Sequence, residues 1–181
     1  MNRETMCRIA VVGTGGSGKT TLAGRLARRL GVPHVELDAL HWDPGWTPAP
    51  DFRDRVTEAL AGEVWTTDGN YSQVRDIVWQ RADTVVWLDY SLPLIMWRVT
   101  TRTIGRSVRQ EELWGTNREN LREAFFGPDS IIWYAFKTYR RRRRQYPVLF
   151  GQPEYAHLDI VQLRSPRQAR CWLEGLGSGH D

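Results

Sequence analysis

The segment VVGTGGSGKTT, from Val11 to Thr21, is the most informative stretch of this sequence. Within it, Gly13, Gly18, Lys19 and Thr20 satisfy the pattern G-x-x-x-x-G-K-[ST], the P-loop. The glycines let consecutive backbone N–H groups point into one concavity, and a helix beginning there adds unbonded N–H groups and the positive end of its dipole. The segment therefore predicts a binding site for nucleotide phosphates.

The residues on both sides of the loop agree with this prediction. An apolar run, 9–12, predicts a buried strand before the loop, and Leu22, Leu26 and Leu30 recur at the spacing of one helix face after it. Lys19 is expected to reach the β- and γ-phosphates, and the Thr20 hydroxyl is expected to bind Mg²⁺. The predicted cofactor-binding residues of the loop are Gly13, Gly15, Gly16, Ser17, Gly18, Lys19, Thr20 and Thr21.

Strands and helices alternate along the rest of the chain. Further strands are predicted at 34–38, 63–68, 84–89 and 156–165. Helices are predicted at 21–30, 51–61, 72–81, 91–105 and 130–146, with Pro147 just beyond the last of these and Pro166 opening a final helix. Such alternation predicts an α/β fold, a parallel sheet with right-handed crossovers and helices on both faces.

Bulk composition excludes several classes of protein. With 181 residues, the chain is expected to form one domain at 1–175, with a short lid at about 105–120 and a flexible tail at 176–181. A formal net charge of +4 suits anionic ligands. No apolar run is long enough for a membrane span, and Cys7 and Cys171 lack metal-like spacing, which favours a cytoplasmic protein with reduced thiols.

Acidic side chains are predicted where ligands gather in such folds, at the carboxyl ends of parallel strands. Asp68 ends the third strand and is a candidate Mg²⁺ ligand, while Asp38 ends the second and is a candidate for orienting or deprotonating an acceptor hydroxyl. Glu36 shares the strand face of Asp38, and Asp89 is a rival metal ligand. Both aspartates have a plainer interpretation as loop caps. Arg164 and Ser165 follow the fifth strand and are candidate nucleotide contacts.

Aromatic residues accompany the acids. Trp42 and Trp46 lie in the segment after Asp38, whose proline and glycine residues predict a structured loop, and Tyr71 follows the third strand. These rings are candidates for stacking on a base or a sugar face, although single tryptophans more often serve packing.

Two groups of arginines complete the list of candidates. Arg98, Arg102, Arg106 and Arg109 share one helix face and suit phosphate oxygens, the alternative being a solvated basic face. The run Arg140–Arg144 covers more than one helical turn, so these arginines cannot all face inward. The run is expected to lie away from the P-loop, either as a solvated helix end or as a contact for a nucleic-acid backbone.

Several segments together resemble the adenylate-kinase-like small-molecule kinases of the P-loop class, and within them a subgroup named DNA topology modulation proteins. The segments that carry the resemblance are GTGGSGKTTLA, PHVELDALHWDPGW, DGNY, RADTVVWLD, ELWGTNRE and QLRSP. The resemblance implies the three-layer P-loop NTPase fold of nucleoside monophosphate kinases, with a five-stranded parallel sheet in the order 2-3-1-4-5.

The resemblance also implies roles for particular residues. Arg102–Arg106 matches the R-x-x-G-R motif at the entrance to the adenylate kinase lid, which implies Arg102 near adenine and Arg106 near phosphate. The D-G-F-P-R motif becomes Asp68–Ser72 here without its arginine, for which Arg75 is the nearest substitute. The pair Glu36 and Asp38 is similar to the acidic pair with which shikimate-type kinases bind an acceptor hydroxyl.

The predicted function is ATP-dependent phosphoryl transfer to a small acceptor, either a nucleotide or a hydroxyl-bearing metabolite, with ATP and Mg²⁺ as cofactors. The predicted catalytic residues are Lys19, Asp38, Asp68 and Arg106, and the predicted metal ligands are Thr20 and Asp68. ATP is preferred over GTP because the guanine signature [NT]-K-x-D is missing from the sequence. The alternative function is a nucleotide-dependent ATPase associated with nucleic acid and affecting DNA topology.

Overall fold

The computed structural model describes residues 7–109, 112–113, 117–118 and 131–176. The strands in this part of the chain are β1 Arg8–Gly13, β2 His34–Glu36, β3 Trp42–Asp43, β4 Thr47–Pro48, β5 Trp65–Asp68, β6 Thr84–Leu88, β7 Glu112–Leu113, β8 Asn117–Arg118 and β9 Asp159–Leu163. The α-helices are α1 Lys19–Leu30, α2 Leu37–His41, α3 Phe52–Ala59, α4 Arg75–Arg81, α5 Leu92–Arg109, α6 Ile131–Phe150 and α7 Pro166–Gly175.

Five of these strands form one parallel sheet in the order β2-β5-β1-β6-β9. Two short ribbons, β3–β4 and β7–β8, stand apart from it. Counted in chain order among the five sheet strands alone, the sheet has the order 2-3-1-4-5. The predicted α/β fold with a five-stranded parallel sheet is therefore confirmed, and β1 lies at its centre with β5 and β6 on either side.

The sheet is buried on both faces, which explains the continuous apolar run of β1. Side chains of a strand alternate between faces, so Ala10 and Val12 enter one core while Ile9 and Val11 enter the other. Helices α3, α4 and α6 cover the first core, which contains Trp65, Trp79 and Trp87. Helices α1, α5 and α7 cover the second core, which contains residues such as Leu26. The result is a three-layer architecture with two hydrophobic cores.

Helix α6 continues through Pro147, so the prediction that it ends before this proline is wrong. Proline lacks the N–H of an interior helix position. The extra turn is stabilised by ring packing, because Phe150 lies with its centroid 5.2 Å from Trp79 and 5.9 Å from Trp87. Tyr146, in the preceding turn, lies 5.6 Å from Trp87.

Three local predictions also need correction. The second strand ends at Glu36, and Asp38 is the second residue of the short helix α2. The helix predicted at 51–61 runs from Phe52 to Ala59, and the Asp51 carboxylate just before it pairs with Arg55 Nε at 2.8 Å. Helix α5 runs past Gly105, its predicted end, to Arg109.

The remaining predictions on chain organisation concern the lid and the tail. Most of the lid predicted at about 105–120, and all but the first residue of the tail predicted at 176–181, lie outside the described residues. In the described ranges, none of the helices combines the length and the apolar character that a membrane crossing requires.

Candidate functional site: the P-loop and the groups around it

The P-loop connects β1 to α1 and depends on glycine for steric reasons. Gly16 has a φ of 81°, and a Cβ built on it would lie 2.4 Å from Cγ2 of Val99 on α5. Gly18 forms the N-cap of α1 with a φ of 89° and leaves the first turn without a side-chain cap. The amide groups at this helix start are thus not occupied by a capping side chain, which is the arrangement that receives a phosphate.

The two predicted metal ligands contact each other. The Thr20 hydroxyl, in the first turn of α1, donates to Oδ2 of Asp68 at 2.6 Å. Asp68 is 3% exposed at the end of β5, and its other oxygen, Oδ1, lies 2.9 Å from Nε2 of His34. His34, the first residue of the neighbouring strand β2, was not predicted from the sequence to take part in the site. The contacts fix the Asp68 carboxylate beside the start of α1.

Lys19 lies in a cluster of charges. Burial is the main cause that lowers its pKa from 10.5 to about 8, and the nearby Arg142 adds to the shift, with a smaller contribution from Arg102. Asp38 and Asp68 oppose this shift, because a nearby carboxylate favours the charged ammonium. The structure therefore brings Lys19, Asp38 and Asp68 together, as the sequence predicts, and adds an arginine from the far end of the chain.

Asp38 is half-buried and held by Tyr71. The Tyr71 hydroxyl donates to Oδ1 of Asp38 at 2.6 Å. The two-residue offset of Asp38 from the end of β2 does not remove it from the site, because its charge still acts on Lys19. One oxygen is engaged by Tyr71, and the carboxylate keeps a second oxygen with which to accept a hydrogen bond.

Asn70 is a further component that the sequence analysis missed. Its Oδ1 accepts from the Gly13 N–H at 3.1 Å, and its Nδ2 donates to the Gly13 carbonyl at 2.6 Å. The same Oδ1 accepts from the Tyr146 hydroxyl of α6 at 2.8 Å. Asn70 thus fastens the start of the P-loop to α6. Its position directly after a strand that ends in the site was the available signal.

The run Arg140–Arg144 does not lie away from the P-loop, so that expectation is wrong. Arg142 is 7% exposed, and its Nη1 donates to the Gly13 carbonyl at 3.4 Å. Arg143 Nε pairs with Oδ1 of Asp89 at 2.8 Å. The physical reason is that successive arginines leave α6 in different directions, so that Arg142 is buried against the loop and Arg143 reaches Asp89. Asp89, the rival metal ligand, is engaged by this ion pair.

The arginines of α5 differ in what they contact. Arg98 Nη1 donates to the Ser17 carbonyl at 3.0 Å, and its guanidinium lies 5.4 Å from the Tyr90 ring centroid. Arg102 is exposed and acts electrostatically on Lys19. The side chains of Arg106 and Arg109 lie outside the described part of the structure. The roles predicted for Arg102 and Arg106 stay predictions.

The predicted aromatic residues pack on one another and on His41. The His41 ring centroid lies 4.4 Å from that of Tyr71 and 4.6 Å from that of Trp42, and the Trp42 centroid lies 5.5 Å from that of Trp46. Burial lowers the pKa of His41, with Asp38 opposing the shift. The structure gives these rings a packing role, and stacking on a ligand stays a prediction.

Arg164 and Ser165 follow β9, at the carboxyl edge of the sheet. The Ser165 hydroxyl caps α7 by accepting from the Gln168 N–H at 3.2 Å. The Arg164 guanidinium donates to Gln162 Oε1 at 3.3 Å. The contacts to a nucleotide predicted for this pair stay predictions.

A cavity of about 400 Å³ opens beside the loop, between the segment that follows β5 and the C-terminal half of α6. Its volume lies in the range of small-molecule sites. The described residues that line it are Asn70, Ser72, Arg75, Arg141, Arg142, Arg144, Gln145, Tyr146, Val148 and Leu149. Because Asn70 and Arg142 also contact Gly13, the cavity adjoins the phosphate-binding loop.

Comparison with known proteins gives a short sequence match and several full-length structural ones. No protein-family model matches the chain. Over 65 residues, 34% of this chain, the sequence is 37% identical to the cytidylate kinase of Nitratidesulfovibrio vulgaris. The chain spans 28% of the length of that protein.

The structural matches cover nearly the whole chain. A shikimate kinase from Acinetobacter baumannii, in complex with shikimate, matches with a TM-score of 0.58 and 19% identity over 96% of this chain and 92% of that one. A gluconokinase from Sinorhizobium meliloti matches with a TM-score of 0.52 and 20% identity over 96% of this chain and 94% of that one. The chain therefore has the fold of P-loop kinases.

Proposed function

We propose that this chain is an ATP-dependent kinase that transfers a phosphoryl group to a small acceptor. The observation that carries the proposal is the convergence of Lys19, Asp38 and Asp68 at a P-loop, with Thr20 and Asp68 in direct contact. The likeness of the fold to a shikimate kinase and a gluconokinase supports it.

The donor side would bind ATP through the loop. Amides of the loop and of the first turn of α1 bind the phosphate oxygens, and the Lys19 ammonium neutralises their charge. Mg²⁺ fits this site, because a hydroxyl and a carboxylate oxygen 2.6 Å apart are hard oxygen donors and the ion takes its other ligands from phosphates and water. Thr20 and Asp68 would hold the ion, which when bound withdraws charge from the β- and γ-phosphates.

The acceptor side would use Asp38. Its carboxylate, positioned by the Tyr71 hydroxyl, accepts a hydrogen bond from the acceptor hydroxyl and can take its proton. A bond then forms between the acceptor oxygen and the γ-phosphorus, while the bond from that phosphorus to the β,γ-bridging oxygen breaks and ADP leaves. Holding the two oxygens in line is the main contribution of the protein to such a reaction.

Arginines would stabilise the charge that moves in this step. Arg142 contacts the Gly13 carbonyl, and both Arg142 and Arg102 lower the pKa of Lys19, so we expect the two guanidinium groups to act on the same phosphates. Arg106, four residues after Arg102 on α5, is proposed to join them, and Arg164 and Ser165 are proposed to contact the nucleotide at the next strand end. Guanidinium groups suit this task because they donate to two phosphate oxygens at once.

A screen of ADP formation from Mg²⁺ and ATP, against a panel of hydroxyl- and phosphate-bearing small molecules, tests the proposal. We expect at least one acceptor to raise ADP formation well above the rate with water, and mass spectrometry to show the phosphorylated product. The Lys137→Ala variant, which removes an exposed lysine of α6, should retain this activity. A panel in which no acceptor is phosphorylated would count against a kinase.

Nucleic-acid association, suggested by the resemblance to DNA topology modulation proteins, is a second candidate. The observation in its favour is that Arg140, Arg141 and Arg144 are exposed on α6. In a duplex-binding protein, replacing these three with glutamine should reduce the dependence of log affinity on log salt by up to about 0.9 for each lost phosphate contact. Tight binding of duplex DNA at physiological salt, together with DNA-stimulated ATP hydrolysis, would favour this function over the first.

A further inference from the structure

The cavity beside the P-loop is strongly cationic. Of the ten described residues that line it, four are arginines and none is an aspartate or a glutamate. The neutral side chains of Asn70, Ser72, Gln145 and Tyr146 complete its polar lining. A small concave site with this composition is complementary to an anion rather than to a neutral polyol.

Two of the cavity arginines are presented by one face of α6. Arg141, Arg144 and Gln145 lie at i, i+3 and i+4, and Val148 continues the same face one turn later. The side chains of Arg141 and Arg144 are exposed, so water and a ligand can reach them. Arg142 points instead toward the P-loop, where its Nη1 contacts the Gly13 carbonyl.

Arg75 reaches the cavity from α4, on the opposite side. Its guanidinium lies 5.4 Å from the ring centroid of Trp79, a stacking contact that leaves its N–H groups available at the edge. The adjacent carboxylate, Asp76, is engaged by Arg53 Nη2 at 2.7 Å.

Asp89, a carboxylate near α6, is likewise engaged outside the cavity, since it pairs with Arg143. Within the described residues, Arg75, Arg141 and Arg144 form no ion pair with a carboxylate. Like charges gathered in one concavity repel each other unless an anion is bound between them. An oxyanion would relieve this repulsion and satisfy the guanidinium donors together.

We propose that the acceptor carries an oxyanion, a carboxylate or a phosphate, which binds to Arg75, Arg141 and Arg144 while the reacting oxygen faces Asp38. This inference rests on the proposed kinase function and specifies its substrate class. The anionic group serves as the handle that orients the acceptor, and the Asp38 end of the site handles the transferred phosphoryl group. Neutral polyols lack the handle and are expected to be poor acceptors.

A binding experiment tests the handle without requiring turnover. The P-loop is first saturated with Mg²⁺ and ADP, and inorganic phosphate or malonate is then titrated by calorimetry at constant ionic strength with chloride as the reference anion. We expect saturable binding of at least one probe, and the comparison of the two distinguishes a phosphate handle from a carboxylate handle. Replacing Arg141 and Arg144 together with glutamine should raise the Kd by about tenfold or more, as for hydrogen bonds to charged groups.

Arg140→Gln is the matched control. Arg140 belongs to the same run and is exposed, but its guanidinium lies 5.2 Å from the Phe136 ring and it does not line the cavity. This variant should bind the probe as the wild type does, and equal melting temperatures would show that all variants are folded. Absence of probe binding, or binding unaffected by the double substitution, would overturn the inference.

The outcomes separate this inference from the kinase function. Arginine-dependent probe binding without phosphorylation of any acceptor would contradict the kinase function and leave the anion site standing. Phosphorylation of glucose with the same kcat/KM as gluconate and glucose 6-phosphate would leave the kinase standing and overturn the anionic acceptor. Preference for either charged sugar, lost in the Arg141 and Arg144 variant through a raised KM, would support both.

Discussion

The phosphate loop comes from one stretch of chain between β1 and α1, whereas the cavity beside it is formed by side chains from α4, α6 and the segment after β5. In the loop, backbone amides are expected to bind the ligand, and glycines are required by steric contacts such as that of Gly16 with Val99. In the cavity, arginine side chains are expected to bind the ligand, and no strained backbone is involved among its described residues.

The comparison shows how one fold can serve different acceptors. Backbone amides are present whatever the side chains are, so a phosphate site formed from them does not distinguish one acceptor from another. A site formed from side chains on α4 and α6 can change its ligand through substitutions such as those at Arg75 or Arg141 without disturbing the sheet.

On the donor side, Lys19→Ala should have the largest effect. The residue supplies the cation fixed in the loop, and its loss should lower kcat/KM by about a thousandfold, the upper range for removing one electrostatic contact to the transition state. Calorimetry should also show weaker ATP binding, whereas Lys137→Ala should behave like the wild type. Unchanged ATP affinity and turnover in Lys19→Ala would contradict the P-loop function.

Asp68→Asn and Asp38→Asn should each lower turnover at low Mg²⁺ by about a hundredfold, as expected for a group acting on the reacting atoms. The two variants should lose activity for different reasons. Asp68 contacts Thr20, so its variant should need about ten- to a hundredfold more Mg²⁺. Asp38 contacts Tyr71, so its variant should bind Mg²⁺ and ATP normally and lose transfer. Identical Mg²⁺ titrations for both variants would contradict this division of roles.

Arg142→Gln tests whether the donor and acceptor regions share a residue. Arg142 lies between Gly13 and the cavity, and its loss should lower turnover about tenfold, as expected for one charged hydrogen bond. Arg140→Gln makes the same change of charge two residues away on the exposed face of α6. Steady-state kinetics in which the two variants are equally active would show that the buried arginine serves only packing.

The pKa of Lys19 predicts a modest dependence of ATP binding on pH. In the ligand-free protein this pKa is lowered to about 8, so the ammonium loses its proton as the pH rises through 8. Phosphate oxygens favour the charged form, so the Kd for ATP should rise severalfold between pH 7 and 9. Lys19→Arg, which stays charged, should lack this rise, and a flat wild-type profile would contradict the shift.

The sequence predicted the loop between β1 and α1 and its flanking elements almost completely because their determinants are local. The glycines, Lys19 and Thr20 lie within one motif, and the apolar run before them identifies the central strand. The same locality explains the correct sheet, since each strand has its own apolar pattern and is followed by a helical one. Asp68 was placed correctly because β5 ends directly at it.

The acceptor side was predicted in part because its contacts depend on which way α6 is turned. A run of five arginines has no periodic pattern of its own. The sequence therefore could not show that Arg142 contacts the Gly13 carbonyl and that Arg143 pairs with Asp89. Pro147 suggested an early end of α6, and packing of Phe150 on Trp79 overrode that local signal. The bonds of Asn70 to Gly13 join residues 57 positions apart.

Helix α6 is a single rod of 20 residues, about 30 Å long at 1.5 Å per residue. It is anchored near its C-terminal half by three contacts, Arg142 to Gly13, Arg143 to Asp89 and Tyr146 to Asn70. Because a helix rotates as one body, a twist that frees any one of these contacts strains the other two. The three contacts fall within residues 142–146, so this one segment of α6 sets the position of the arginine cavity relative to the phosphate loop.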